Sequence, residues 1–276
     1  MSRPAKALID LEALRYNCQL ANSLSPNSQT MAVIKANAYG HGAVPVAHAL
    51  TDLVPAFGVA CIEEAIELRE AGIENPIHLL EGAFSNDEIS IAAEQNFSLA
   101  VVNEEQKRAI LNASPSTPLR VWICIDTGMH RLGIAPDELS STYRELATSN
   151  NVAGDIVVAT HFACADDLAN DFTAIQLARM TQAADELYVP KSFANSAGLI
   201  GWPETRADWN RPGIMLYGSS PFSVPHPDAD RLLPVMTFKS AVIALRDIQP
   251  GETVGYAATW KAERPTRIAT VAIGYG

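Results

Sequence analysis

Short apolar segments alternate with segments of helical periodicity through the first 217 residues of the chain. The apolar segments have the length of strands, and the segments between them carry apolar residues at the spacing of an amphipathic helix. Parallel strands that are joined by helices and buried on both faces produce this pattern. A repeat of roughly 20 to 35 residues suits a (β/α)8 TIM barrel, which we predict for residues 1–218. A doubly wound open sheet is the alternative, although no GxGxxG motif follows any strand.

The pattern predicts one more strand than a barrel needs. Strands are expected at 31–35, 56–61, 76–80, 98–102, 119–125, 156–160 and 191–194, with 7–9 and 213–217 as further candidates. The clearest helices are expected at 11–23, 62–72, 85–95, 103–113, 136–148 and 168–187. Periodicity alone does not decide which strand candidate lies outside the barrel.

The pattern changes after residue 218. Residues 219–234 are rich in Pro, Ser and Asp, which is typical of a linker. Strands without helices are then expected at 238–245, 253–261 and 267–275. We therefore predict a mainly β C-terminal domain over residues 235–276, with residues 1–10 as candidates to pack against it. Because a strand-like segment stops abruptly at Gly276, we expect this domain to be incomplete and the chain to be truncated within it.

The composition narrows the class of function. Of the 276 residues, 48% are hydrophobic and 18% are charged, which is ordinary for a globular protein. The formal charge of −11 and the pI near 5.0 disfavour nucleic acid and membranes as partners. The four cysteines form no CxxC pair and no metal-ligand cluster, so we expect free thiols and no metal. Since no signal peptide and no long apolar span are found, we expect a cytoplasmic protein.

The segment AVIKANAYGHG, at 32–42, carries the first chemical feature of the chain. Its apolar residues end in Lys35 and a Gly-rich turn follows, so Lys35 is expected at the carboxyl end of a strand. The pKa of a lysine is about 10.4 in water, and desolvation or nearby cations lower it enough to supply a free amine for a Schiff base. The structural alternative is a solvent-exposed lysine at a strand end.

This segment resembles the pyridoxal 5'-phosphate (PLP) attachment motif of alanine racemases. Further segments resemble motifs of the same family at consistent spacing, namely DTGMHRLG at 126–133, THFACADD at 160–167, NSA at 195–197 with WNRPGI at 209–214, and TVGYAATW at 253–260. The resemblance implies a PLP-binding (β/α)8 barrel followed by a β-domain. It also implies that the first strand belongs to the β-domain and that the barrel begins at the strand of Lys35.

The resemblance assigns roles to individual residues. Lys35 corresponds to the Schiff-base lysine and to one catalytic base, and Tyr256 to a second base on the opposite face of the substrate's α-carbon. Arg131 corresponds to the arginine that binds the substrate carboxylate, for which a planar, permanently charged fork is well suited. The implied cofactor-binding residues are Lys35, Tyr39, His161, Ser196, Arg211, Gly213 and Ile214.

Arg211 has a chemical consequence in this assignment. In the family, the corresponding arginine meets the pyridine nitrogen of the cofactor. Guanidinium offers only hydrogen-bond donors, so it leaves that nitrogen neutral, whereas an acid would keep it protonated. The carbanion is then less delocalised, which favours reprotonation at the α-carbon over transamination or decarboxylation.

One position departs from the family pattern. Many members carry a carbamylated lysine two residues before the aspartate of the DTGM motif, where it orients the arginine, but this chain has Cys124. A thiol does not form a carbamate, so another group must hold Arg131. An anion or a neighbouring carboxylate is the expected substitute.

The resemblance therefore implies an isomerase, an alanine racemase that interconverts L- and D-alanine by a two-base mechanism and supplies D-alanine for peptidoglycan. Its expected partner is a small-molecule amino-acid substrate. Two alternatives remain open: a racemase of broader amino-acid specificity, and a fragment that binds PLP but is catalytically impaired. In the family, the tyrosine corresponding to Tyr256 reaches the cofactor of the partner subunit, so a complete site implies a homodimer.

Overall fold

The computed structural model describes residues 3–274, which fall into two compact units. The larger unit is Leu11–Val235. The smaller unit combines the start of the chain, up to Asp10, with the residues from Met236 onward. The first strand, β1 (Lys6–Ile9), therefore belongs to the smaller unit. In the described part of the chain, no helix is long and apolar enough to cross a membrane.

Eight parallel strands of the larger unit close into a barrel. They are β2 (Gln29–Val33), β3 (Ala56–Val59), β4 (Ile77–Leu79), β5 (Phe97–Val101), β6 (Arg120–Ile125), β7 (Val157–Thr160), β8 (Lys191–Ser192) and β9 (Trp209–Asn210). Strands β2 and β9 close the barrel, with Gln29 opposite Trp209 and Thr30 opposite Asn210. The predicted TIM-barrel class is confirmed, and the open-sheet alternative is excluded.

Each helix expected from the periodicity is present, although the ends differ. The helices are α1 (Leu11–Leu24), α2 (Lys35–Gly40), α3 (Ala43–Leu50), α4 (Ile62–Glu70), α5 (Asn86–Gln95), α6 (Glu104–Asn112), α7 (Leu139–Ala147), α8 (Phe172–Ala183) and α9 (Ser196–Gly201). Helix α8 starts later than predicted because Asp167 and Asn170 accept hydrogen bonds from the backbone N–H groups of Ala169 and Phe172. Such side-chain bonds favour turns over helix.

The strand predicted at 213–217 is wrong. Ile214–Tyr217 is a 3-10 helix, and β9 supplies the eighth barrel strand. A run of four apolar residues fits both strand and helix patterns, so periodicity does not separate them. The helical turn buries Met215 and Leu216 and lets the Tyr217 hydroxyl donate to the Val33 carbonyl at 3.1 Å.

Apolar side chains fill the interior of the barrel. Met31, Ala56, Trp122, Val157 and Ala159 form one buried cluster, and Trp209 packs against it. The ring centroids of Trp122 and Trp209 are 5.6 Å apart. The barrel is therefore a packed core in this layer, as is usual for the fold.

The smaller unit consists of short antiparallel strand pairs. Strand β1 pairs with β10 (Met236–Lys239), β11 (Val242–Ile248) with β14 (Thr266–Val271), and β12 (Thr253–Val254) with β13 (Trp260–Lys261). The segments 238–245 and 253–261, each expected as one strand, are both interrupted. Residue 275, the expected end of the last strand, lies outside the described residues.

Residues 219–234 cluster with the barrel. They include the 3-10 helix Ala229–Arg231, and their end is held by Asn17 of α1. The Asn17 side chain accepts a hydrogen bond from the Leu233 N–H at 2.8 Å and donates to the Leu233 carbonyl at 2.8 Å. The assignment of this segment as an interdomain linker, with the boundaries predicted from the sequence, stays a prediction.

Candidate active site

A cavity of about 860 Å³ opens at the carboxyl ends of the barrel strands. It is lined by every barrel residue that the sequence singled out for a site, namely Lys35, Tyr39, Arg131, His161, Ser196, Arg211, Gly213 and Ile214. In TIM barrels this end of the strands carries the functional loops. The cavity is therefore the candidate active site of the larger unit.

Lys35 begins α2, which has an unusual backbone. Ala36, Asn37, Ala38 and Tyr39 all have φ between 52° and 54°, so they form a left-handed helical turn. For L-residues this conformation costs roughly 1–2 kcal/mol each, and it persists only where the surrounding structure fixes it. The Asn37 side chain contributes by accepting a hydrogen bond from the Ala43 N–H at 2.7 Å.

Tyr39, the last of these residues, reaches the backbone that follows β9. A Cβ atom added to Gly213 would lie 2.5 Å from the Tyr39 hydroxyl oxygen, so only glycine allows this approach. The Tyr39 and Tyr217 rings are 4.8 Å apart. Burial raises the pKa of Tyr39, which keeps its hydroxyl protonated as a hydrogen-bond donor.

Ser196, at the start of α9, lies beside the same backbone. Its Oγ accepts hydrogen bonds from the N–H groups of Gly213 at 2.9 Å and Met215 at 3.3 Å. Since the oxygen lone pairs are used in this way, the hydroxyl hydrogen is left to donate to another group. Together with the Tyr39 hydroxyl, Ser196 forms a set of neutral donors that suits a phosphate.

Arg211 is 8% exposed and is held by two strand ends. Its Nη1 donates to the carbonyl oxygen of Ser192 at 2.9 Å and also to the Ser192 hydroxyl. Its Nη2 donates to the Thr160 carbonyl at 2.6 Å. Burial lowers the pKa of Arg211, but guanidinium remains protonated in proteins. Guanidinium has five N–H groups, so the N–H at Nε and one N–H at Nη2 are left to donate to a group in the cavity.

Two histidines line the cavity, and both are neutral. Partial burial, followed by the positive charges of Arg211, Arg131 and Lys35, lowers the pKa of His161 below its usual value. The His161 ring is nevertheless accessible from the open cavity. Burial and Arg211 likewise lower the pKa of His78 to about 3. The basic side chains that line this cavity are Lys35, Arg131 and Arg211, and the acidic ones are Glu81 and Asp166. The excess of basic groups favours an anionic ligand.

Arg131 lies in a loop whose backbone is well fixed. The Asp126 carboxylate accepts hydrogen bonds from the N–H groups of Gly128 at 2.9 Å and His130 at 3.0 Å. Although burial opposes it, these bonds hold the pKa of Asp126 below its usual value. By contrast, the Arg131 side chain is exposed and, within residues 3–274, makes no hydrogen bond or ion pair with another residue.

Two family models match the chain. The model of the alanine racemase N-terminal domain matches residues 9–221, and that of the alanine racemase C-terminal domain matches residues 235–276. The chain belongs to the alanine racemase family. This confirms the family, the isomerase class and the arrangement of a barrel followed by a β-domain that the sequence predicted.

Individual alanine racemases are similar over almost the whole chain. The enzyme of Chromohalobacter salexigens is 47% identical over 276 residues, which cover 100% of this chain and 76% of that protein. A catabolic alanine racemase of Pseudomonas aeruginosa is 49% identical over 273 residues, covering 99% and 76%. The crystal structure of a biosynthetic alanine racemase from Pseudomonas aeruginosa superposes with a TM-score of 0.94 at 43% identity, covering 99% of this chain and 76% of that one.

The departure from the alanine racemase pattern at Cys124 is visible in the cavity wall. Burial raises the pKa of the Cys124 thiol to about 11, with Arg211 opposing, so the thiol is neutral. Of the two substitutes expected for the carbamate, a carboxylate is present in the cavity lining as Glu81 and Asp166, but among the described residues none forms an ion pair with Arg131. A bound anion as the partner of Arg131 stays a prediction.

Tyr256, the predicted second base, is placed in the smaller unit. It begins the 3-10 helix Tyr256–Ala258, between β12 and β13, and its side chain is 92% exposed. The two following residues, Ala257 and Ala258, have φ of 59° and 50°. The structure of this segment leaves the phenol open to solvent within this chain.

Gln176 was not predicted as a site residue. It lies fully buried on α8, where its side-chain amide donates to the Thr127 hydroxyl and to the His161 carbonyl, both at 3.1 Å. Its oxygen accepts a hydrogen bond from the Ala163 N–H at 2.9 Å. Gln176 thus joins the loop of Arg131 to that of His161. A glutamine at a core position of an amphipathic helix was the available sequence signal.

Proposed function

We propose that this chain interconverts L- and D-alanine, with PLP bound in the barrel cavity. The observation that carries the proposal is that residues matching the family's lysine, phosphate, ring and carboxylate contacts line one cavity, in a chain 47% identical to an alanine racemase. A solved relative supports the substrate class. The alanine racemase of Bacillus anthracis, with a TM-score of 0.86, 30% identity and coverage of 100% of this chain and 74% of that one, was crystallised with bound L-Ala-P.

The residues present fit PLP. Because Gly213 has no side chain, its backbone lies directly beside the hydroxyls of Tyr39 and Ser196. These groups would hold the phosphate, while His161 and Arg211 would meet the ring. The amine of Lys35 would hold the cofactor covalently. When bound, PLP supplies an electron sink for negative charge at the α-carbon of an amino acid.

The chain's own residues would bind the substrate and move its α-proton. We assign Arg131 to the carboxylate, because guanidinium binds such a group with two parallel hydrogen bonds. Lys35 would take or return the proton on one face of the α-carbon. Arg211 donates hydrogen bonds but no acidic proton, so it favours reprotonation over decarboxylation.

We assign the second base to Tyr256. A base on the opposite face is needed because inversion delivers the proton to the side from which it was not removed. An exposed tyrosine is suited to serve the cavity of a second copy, so the proposal includes a homodimer. The pKa of tyrosine is near 10, so a nearby cation such as Arg131 is needed to favour the phenolate at neutral pH.

The D-alanine formed would serve peptidoglycan synthesis. The similar proteins include one described as catabolic and one described as biosynthetic. The production of D-alanine, rather than its breakdown, is therefore part of this proposal. Restored growth of a D-alanine auxotroph that carries this chain would support the biosynthetic role. A cytoplasmic location stays a prediction from the sequence.

The reaction can be tested by proton exchange. The PLP-saturated chain is incubated in D2O with a panel of L-amino acids, and the loss of the α-proton signal is followed by NMR. We expect exchange with alanine alone and the appearance of D-alanine. Lys35→Ala should abolish both, because it removes the amine that binds the cofactor and moves the proton. Lys261→Ala, a lysine of the smaller unit, should change neither.

Other outcomes separate the alternatives. Comparable exchange across many amino acids would replace the proposal by a racemase of broad specificity. PLP absorbance that depends on Lys35, without exchange, would indicate a chain that binds the cofactor but lacks a working second half of the site.

A further inference from the structure

Glu64 connects the turn of Lys35 to the neighbouring strand. It lies on α4, and its Oε1 accepts a hydrogen bond from the Ala36 N–H at 2.6 Å. Its Oε2 accepts one from the Ala60 N–H at 2.8 Å. Ala36 is the residue after Lys35, and Ala60 is the residue after β3. One carboxylate therefore bonds the backbone at the ends of two adjacent barrel strands.

The hydrogen bond between Glu64 and the Ala36 N–H lies where the backbone changes from negative to positive φ. Ala36 is the first of four residues with positive φ, a run that L-residues adopt only under constraint. The carboxylate offers Ala36 a charged acceptor, and such hydrogen bonds are roughly twice as strong as neutral ones. The position of the acceptor thus favours the backbone conformation in which the chain leaves Lys35.

Helix capping explains only part of this arrangement. Glu64 is the third residue of α4, and a glutamate there commonly bonds a backbone N–H just before the helix. The bond to Ala60 fits that role. The bond to Ala36 does not, because Ala36 lies 28 residues earlier in the chain and on another strand end.

We propose that Glu64 is a positioning residue for Lys35: by bonding the Ala36 N–H, it holds the left-handed turn and so sets the direction of the lysine side chain into the cavity. This inference rests on the proposed role of Lys35 as the residue that binds PLP. Glu64 acts through the backbone and needs no contact with substrate or cofactor.

Glu64→Gln is the sharpest change. It keeps the size of the side chain but removes its charge and leaves one acceptor oxygen for the two N–H groups of Ala36 and Ala60. Glu64→Asp keeps both oxygens on a shorter chain and serves as the conservative variant. Glu67→Gln, on an exposed position of the same helix, is the matched control for the lost charge.

The main measurement is the rate at which added PLP forms its covalent bond to Lys35, followed by absorbance and by borohydride trapping with mass spectrometry. We expect Glu64→Gln to slow attachment about 10-fold to 100-fold, as for a misplaced reacting group. Glu64→Asp should recover part of the rate, and Glu67→Gln should match the wild type. In the racemase assay, kcat should fall with little change in KM.

Attachment is measured without turnover, so its outcome is independent of racemase activity. A wild type that attaches PLP but does not racemise alanine would contradict the proposed function and leave the Glu64 comparison intact. Attachment by Glu64→Gln within twofold of the wild type would overturn the inference, as would a decrease that follows loss of thermal stability alone. If the variant does not fold, amide hydrogen exchange of the wild type decides. Protection of the Ala36 amide is expected, and rapid exchange there would refute the bond.

Discussion

The two arginines of the cavity are held in opposite ways. Arg211 is 8% exposed, and its two Nη atoms donate to Ser192 and Thr160. The side chain of Arg131 is exposed and has no partner in the described part of the chain. The half of the cavity that suits the cofactor ring is thus already formed, whereas the half that suits a carboxylate keeps a free guanidinium.

The difference follows from where each arginine stands. Arg211 comes directly after β9, and its side chain meets main-chain carbonyl groups at the ends of neighbouring barrel strands. Such carbonyl groups are obligatory acceptors, so the barrel itself supplies the partners. Arg131 stands in a loop beyond β6, where Asp126 fixes the backbone but not the side chain. Binding of a ligand to Arg131 must also compensate for the conformational entropy that the arginine side chain loses when it is ordered.

The largest effect is expected in folding stability. Arg211→Leu removes donors from buried acceptors, and we expect it to lower the free energy of unfolding by about 2–5 kcal/mol. Arg131→Leu should change it by less than about 0.5 kcal/mol, because the side chain has no partner to lose. Urea unfolding of the two variants beside the wild type measures the difference. Equal losses would mean that the two arginines are not held differently.

In catalysis, by contrast, we expect Arg131 to contribute strongly, because it is assigned to the substrate carboxylate. Arg131→Ala should lower kcat/KM for L-alanine by roughly 100-fold, the effect of losing a charge-assisted bidentate pair. Arg131→Lys keeps the charge but not the fork, so it should restore only part of the loss. Steady-state kinetics with the PLP-saturated chain provide the test. Full activity of Arg131→Ala would remove Arg131 from the substrate site.

Sequence periodicity predicted the barrel because strands buried on both faces read as continuous apolar runs. It failed at β9, where Trp209 and Asn210 alone form the ladder and no apolar run marks the strand. Periodicity instead predicts a strand at 213–217, since the four apolar residues of this segment are too few to distinguish strand from helix.

The cavity residues near strand ends were predictable because parallel strands bring their carboxyl ends to one edge of the barrel. The left-handed turn after Lys35 was not, because alanine favours right-handed helix and nothing local in Ala36–Tyr39 signals the reversal. Its partner Glu64 lies 28 residues from Ala36 in sequence, and Gln176 lies 49 residues from Thr127. Contacts of this kind form only when the barrel closes, and they produce no periodic pattern in the sequence.

The smallest expected effect is on the pH dependence of folding stability, and it concerns the half of the cavity that suits the cofactor ring. His78 lines this half of the cavity and forms a hydrogen bond with the Ser98 hydroxyl at 2.9 Å. Burial lowers its pKa from 6.5 to about 3. Below pH 6.5 the unfolded chain therefore binds a proton at His78 that the folded chain does not, so stability falls as the pH falls towards 3. The loss from this group is about 2 kcal/mol at pH 5 relative to pH 7.5. His78→Gln should remove that part of the pH dependence, whereas His48→Gln, on an exposed position of α3, should keep it. Denaturant unfolding at about pH 5 and about pH 7.5 measures this difference in the free energy of unfolding. The same difference in His78→Gln as in the wild type would show that this half of the cavity admits a charged imidazole.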